Sequence, residues 1–211
     1  IGTTAPASKL HVENTSGSGL TLKTSAGGNF ARFTRMASGD TTNGDWSLEH
    51  SSKALVFKTN AASGSYASPS WINAMSINSA GIVTKPYQPA AVAYSMPDSN
   101  NGTLVYSTEK FDNAGNMNLT NGRFTCPVAG VYSVSISGFY NSGRSNNGDV
   151  AIRVNNSLYV RASYSNESTS NYVAITGVSL VKVAANDYIT IFTEGDYHGS
   201  SATVFSVHLV G

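Results

Sequence analysis

Asp196, Tyr197, His198, Gly199 and Ser200 follow one another, placing the three side-chain types of a hydrolytic triad in one short stretch. Such a set works only when a buried acid orients the imidazole and the imidazole reaches the hydroxyl. Near neighbours on a glycine-flanked stretch do not hold that geometry, and no Gly-x-Ser-x-Gly or His-Glu-x-x-His pattern occurs elsewhere. The expectation is therefore a protein that is not an enzyme, with a polysaccharide hydrolase as the alternative this stretch would serve. Asp149, Glu194 and Asp196 supply hard oxygen atoms of the kind calcium takes, but no Asp-x-Asp-x-Asp-Gly spacing accompanies them. His11, His50, His198 and His208 are too scattered for a transition-metal site. Apart from calcium, no cofactor is expected.

Cys126 is the single cysteine, which excludes an intrachain disulfide framework and a thiolate zinc site. It reads as a small core residue at the end of a strand. Of the 211 residues, 12% are charged, about half the usual globular share. Uncharged polar and β-branched residues fill the gap, a mixture suited to strands and turns. With a net charge of +1 and scattered basic residues, no nucleic-acid partner is expected. No apolar run approaches the ~20 residues of a membrane-spanning helix, and no membrane insertion is expected. The chain opens on Ile1-Gly2-Thr3-Thr4 without a methionine and reads as an excised fragment.

The elements that must position these side chains are strands throughout. Up to Thr84, short alternating pieces (9–12, 20–23, 30–34, 46–50, 54–58, 75–77, 82–83) are separated by turn residues. Their apolar faces are narrow, so burial against identical copies is expected, a small monomeric β-domain being the alternative. Lys85-Pro86-Tyr87-Gln88-Pro89 then stiffens a junction. Beyond it, residues 121–137 read as one strand, a Pro/Gly turn and a second strand. Tyr132, Val134 and Ile136 lie on one face of that second strand and Val131, Ser133, Ser135 and Ser137 on the other.

The run Asn121-Gly122-Arg123-Phe124-Thr125-Cys126-Pro127-Val128-Ala129-Gly130-Val131-Tyr132 closely resembles the N-G-x-F-T-C-P-x-x-G-x-Y segment of C1q-like domains. Residues 88–94 and 202–210 are similar to that family's opening and closing strands, with Val207 where the family often has glycine. The resemblance covers 85–211 and implies a C1q/TNF-like jelly-roll head that assembles as a trimer and recognises surfaces. Residues 1–12, Ile1-Gly2-Thr3-Thr4-Ala5-Pro6-Ala7-Ser8-Lys9-Leu10-His11-Val12, resemble a segment common in phage tail fibres and related bacterial fibre proteins. That second resemblance implies a trimeric β-rich shaft over 1–84.

On a jelly roll, successive connections alternate between two ends. With strands at 123–126, 131–140, 149–154, 158–164, 172–182, 188–193 and 203–210, the short connections 127–130, 155–157 and 183–187 share one end. The longer ones, 141–148, 165–171 and 194–202, share the other, expected to be distal to the shaft. These are rich in Asn, Ser, Gly and Tyr, the mixture favoured by binding loops. The candidate ligand contacts are Tyr140, Asn141, Arg144, Asn146, Asn147, Tyr164, Asn166, Glu167, Asn171, Tyr172, Asp196, Tyr197 and His198. Tyr164, Tyr172 and Tyr197 are candidates for stacking on a sugar, and Arg144 and Arg161 for pairing with an anionic one.

Together these features predict an all-β homotrimeric fibre tip: a shaft over 1–84 and a jelly-roll head over 85–211. The expected role is that of an adhesin, a tail-fibre receptor-binding module for host or prey recognition. Its expected partners are its own copies and a cell-surface glycan or lipopolysaccharide. The expected location is extracellular, on a virion tail fibre or a secreted or surface-bound bacterial fibre. A structural trimerisation or connector module without its own ligand is the alternative.

Overall fold

The structure, a computed structural model, describes residues 28–33, 46–51, 53–60, 71–142, 148–165, 170–199 and 201–211. The chain divides into two units, Ile1–Pro86 and Tyr87–Gly211. In the first, β1 (Gly28–Phe33), β2 (Trp46–Ser51), β3 (Ala54–Asn60), β4 (Trp71–Ile77) and β5 (Val83–Thr84) pair in chain order as an antiparallel sheet. The alternating pieces of the sequence thus pair with one another inside the chain. The pieces expected at 9–12 and 20–23 lie outside the described residues. Val56 on β3 is buried. Asn78 shapes the β4–β5 turn: its Oδ1 accepts the amides of Ala80 and Ile82, both at 2.9 Å, and Gly81 takes the left-handed φ of 79°.

The second unit holds β6 (Ala90–Tyr94), β7 (Ser99–Thr103), β8 (Thr108–Asp112), β9 (Met117–Asn118), β10 (Arg123–Thr125) and β11 (Gly130–Tyr140). It continues with β12 (Gly148–Val154), β13 (Ser157–Ser165), β14 (Val173–Val183), β15 (Tyr188–His198) and β16 (Val204–Leu209). One sheet runs β8-β6-β16-β11-β14. The other runs β13-β12-β15, with β7 and β10 along the far edge of β15 and β9 on β10. From β10 to β16 consecutive strands change sheet at every connection except the β12–β13 hairpin, the jelly-roll order. This is an all-β jelly-roll sandwich.

Side-chain parity explains the packing. β11 buries Tyr132, Val134, Ile136, Gly138 and Tyr140 and leaves the residues between them partly exposed, a period of two. Its inward face meets Ile175 and Val181 from β14 and Phe205 and Val207 from β16. Val150 and Ile152 of β12 and Ile189 and Ile191 of β15 complete the same core. Each such buried side chain contributes about 1.5–3 kcal/mol relative to exposure. Phe124 meets Tyr132 edge-on at 6.0 Å, and Tyr106 stacks on Phe205 at 5.6 Å.

The three short connections meet at one end. The Cys126 amide donates to the Asp187 carbonyl at 2.7 Å, and the Asn186 amide donates to the Cys126 carbonyl at 2.8 Å. Asn155 Nδ2 donates to Asp187 Oδ1 at 2.7 Å, while Asn155 Oδ1 accepts the Tyr188 amide at 3.0 Å. Asn155 and Asn156, at φ 50° and 66°, supply the left-handed turn that joins β12 to β13. The unit's first residues are tied to its last at this same end. Leu209 donates to the Pro89 carbonyl at 2.9 Å, Gln88 Nε2 donates to the Leu209 carbonyl, and Val131 donates to the Gly211 carbonyl at 2.6 Å.

Candidate recognition site at the loop end

At the opposite end β11, β13 and β15 finish, and three connections that are far apart in the sequence are brought together. His198, the last residue of β15, pairs through its backbone with Phe139, which sets its ring beside Asn141. His198 Nδ1 lies 2.9 Å from Asn141 Oδ1. The Tyr172 ring, from the β13–β14 connection, packs against the imidazole at a centroid distance of 4.5 Å and a tilt of 42°. Asn141, Tyr172 and His198 were all expected at this end, and here they touch.

The sequence reading missed a fourth member, Asp98. β6 runs from the end where the unit begins toward the loop end, so its exit, residues 95–98, arrives among the other connections. Asp98 Oδ1 accepts the Gly199 amide at 2.6 Å and lies 3.3 Å from His198 Nδ1. A Cβ on Gly199 would overlap the backbone of Pro97 and Asp98, so glycine is what lets the two connections lie this close. The signal was available in Pro97-Asp98-Ser99-Asn100-Asn101-Gly102, a turn-forming run on the exit of the opening strand.

Two expected ligand contacts are corrected. Tyr140 and Tyr197 are fully buried and meet edge-on at 6.2 Å inside the sandwich. Tyr140 follows the inward parity of β11, and Tyr197 is buried because β15 does not stop at Thr193 but continues to His198. Its last residues pair with β7 (Glu194 with Asn101, Tyr197 with Ser99) and with β11 (Tyr197 with Tyr140). Gly195, at φ 92°, sits within the register shift of that pairing. Glu194 through His198 are therefore strand rather than loop, and the alternation carries Tyr197 inward. Burial raises the Tyr197 phenol well above its ordinary pKa.

Tyr164 and Asn171 are exposed, on β13 and just before Tyr172. Arg144, Asn146, Asn147, Asn166 and Glu167 lie outside the described residues, as do Ser200 and the side chain of Asp196. Asp149, expected as a calcium ligand, is buried and pairs with Arg161 at 3.2 Å. Burial raises its pKa, and Arg161 partly offsets that effect. Among the described residues no three His, Cys, Asp or Glu side chains are grouped to hold a metal. Arg161, considered for anionic sugars, makes this ion pair through Nη1, and its side chain is 57% exposed. His198, in turn, faces Asp98 and Asn141 among the described residues.

No protein-family model matches the chain. No curated protein matches it. Among solved structures the chain is similar to the globular domain of zebrafish complement 1qA protein, with a TM-score of 0.47 and 16% sequence identity. The match covers 59% of this chain and 98% of that one. The jelly-roll assignment stands on the strand order and registers of the chain itself.

Proposed function

We propose that this chain is the tip of a homotrimeric, tail-fibre-like extracellular adhesin, with a shaft over 1–84 and a C1q-like head over 85–211, and that the head recognises a cell-surface glycan without chemical turnover. One observation carries this reading. The polar connections of the head converge at the end opposite the unit's first and last residues, where they present the Asn141, Tyr172, His198 and Asp98 group. The chain enters and leaves this unit at the other end, so the loop end is the face that this reading assigns to the surface. Weak contacts there would be multiplied across three copies and many fibres.

Threefold assembly draws support from the outer face of the β8-β6-β16-β11-β14 sheet. Phe111, Val92, Ser206, Ser135 and Val178 form one cross-strand row on that face, and His208, Ser133 and Leu180 fall in the next. Val178 and Leu180 are 69% and 61% exposed, and Phe111 is exposed on the far flank. Small serines, with Ser135 and Ser206 hydrogen-bonded at 2.5 Å, leave a shallow trough between these apolar flanks. An exposed apolar face of this kind fits a second copy of the chain. The same face favours the alternative reading, a connector whose only partner is itself.

Binding of the purified 211-residue chain to bacterial cells and to immobilised surface polysaccharides separates the two readings. Adhesion that is lost when the 141–148 and 165–171 connections are replaced by short Gly/Ser turns supports the recognition head. Absence of binding by an intact trimer favours the connector. Release of saccharide from the bound polymer would bring back the hydrolase.

A further inference from the structure

The geometry points to a subsite for one neutral, polyhydroxylated sugar ring, built from Tyr172, Asp98, Asn141 and His198. This rests on the recognition reading above and specifies its chemistry. His198 Nδ1 faces Asn141 Oδ1 at 2.9 Å and Asp98 Oδ1 at 3.3 Å. An ionised carboxylate only accepts, so Nδ1 carries the proton that faces the two oxygens. Asp98 Oδ1 is doubly engaged, by this proton and by the Gly199 amide at 2.6 Å. The Asp98 side chain is nonetheless 63% exposed, and among the described residues its Oδ2 has no partner. Among the described residues, the two N–H donors of Asn141 Nδ2 have no partner, its Oδ1 being committed to the imidazole.

An acceptor on Asp98 beside donors on Asn141 matches a vicinal diol, whose hydroxyls each donate one hydrogen bond and accept others. Tyr172 supplies the apolar half of the contact. One side of its ring is braced by the imidazole at 4.5 Å, yet the residue is 55% exposed, which leaves the other side for the C–H face of a pyranose. The site is preorganised: the Gly199 contact seats the Asp98 backbone, and the Nδ1 proton fixes the imidazole and the Asn141 amide. Charge selects the class of sugar. The group's one anionic side chain is the Asp98 carboxylate, and Arg161 is paired with Asp149 at 3.2 Å. A uronate, sialate or phosphorylated sugar would meet a like charge, and among the described residues no Lys or Arg is paired with Asp98.

The test prints neutral oligosaccharides (hexoses and N-acetylhexosamines) beside acidic ones (uronic acids, sialic acid, sugar phosphates) and applies the intact chain and its variants. Neutral ligands are expected to bind. Y172A should lose about tenfold or more, Y172F should stay within about twofold, and D98N, which keeps the Gly199 contact but turns Oδ2 into a donor, should lose about fivefold. Melting temperatures check folding, and Y172F with D98N decides the matter if Y172A does not fold. Preference for acidic ligands overturns the subsite. Undiminished binding by Y172A and D98N overturns it while leaving the recognition reading standing. Failure of every oligosaccharide, with adhesion to cells retained, overturns the glycan assignment and the subsite together.

Discussion

Tyr197 lies across Gly138 so closely that a Cβ at position 138 would overlap the phenol oxygen, which itself donates to the Ser137 carbonyl at 3.4 Å. β11 thereby carries a glycine where its period of two calls for a large inward residue, and the ring from β15 fills the space. This contact closes the sandwich beneath the loop end. It explains why the last turn of the core can be tight while the residues above it remain exposed.

Gly138→Ala should destabilise the head by about 2–3 kcal/mol through overpacking. Tyr197→Phe should cost about 1 kcal/mol, since the lost hydrogen bond is long. The double variant should be less destabilised than the sum, because removing the hydroxyl makes room for the added methyl. Urea midpoints of the four proteins check this, and strict additivity would show that the two residues do not share the space described.

Cys126 is buried, and burial followed by the nearby Asp187 charge pushes its thiol up to about 12. At pH 8 only about one thiol in ten thousand is then the reactive thiolate. An aromatic disulfide reagent should modify the native protein no faster than it unfolds, and should titrate one thiol at once in denaturant. Rapid modification of the native chain would place the residue at the surface instead.

Asp187 ties the short-connection end together. Hydrogen bonds from Asn155 Nδ2 and then from the Ala184 amide hold its carboxyl below the ordinary carboxylate value. A folded-state value below the unfolded one contributes stability above the unfolded pKa, near 4, and loses it as pH falls through the folded value. Asp187→Asn should therefore lower the melting temperature at pH 7 and flatten its decline at acid pH. Asn155→Ala should cost about 1–2 kcal/mol, losing the side-chain hydrogen bonds and placing alanine at positive φ. A wild-type acid limb retained in Asp187→Asn would assign the pH dependence elsewhere.

Val178→Asp combined with Leu180→Asp should convert a trimer to monomers in light scattering while leaving the circular dichroism of the fold in place. Both side chains point away from the core, so their loss affects assembly rather than packing. A wild-type chain that is already monomeric at micromolar concentration would remove the threefold reading.

The strand–turn–strand around Pro127 was legible because alternation over Val131–Tyr140 is local and strong. From it followed the grouping of later connections at two ends, which the hydrogen bonds among Cys126, Asn155 and Asp187 display. The extent of β15 was not legible. Glu194-Gly195-Asp196-Tyr197-His198 has loop composition, and it is strand because β7 and β11 supply backbone partners from distant positions. For the same reason Tyr197 could not be told from a surface tyrosine, whereas the inward place of Tyr140 follows from the β11 alternation that also buries Tyr132, Val134 and Ile136.

Sequence alone therefore determined an all-β chain, the alternation that builds the head's core, and the polar loops and exposed Tyr172 at one end. These are properties of composition and short-range period, which a chain carries wherever it goes. Only the tertiary structure decided that Asp98 joins Asn141 and His198, and that Tyr197 fills the space above Gly138 instead of meeting a ligand. Both depend on long-range backbone pairing and on close approach at Gly138 and Gly199, where the missing side chain matters only because of what lies opposite it.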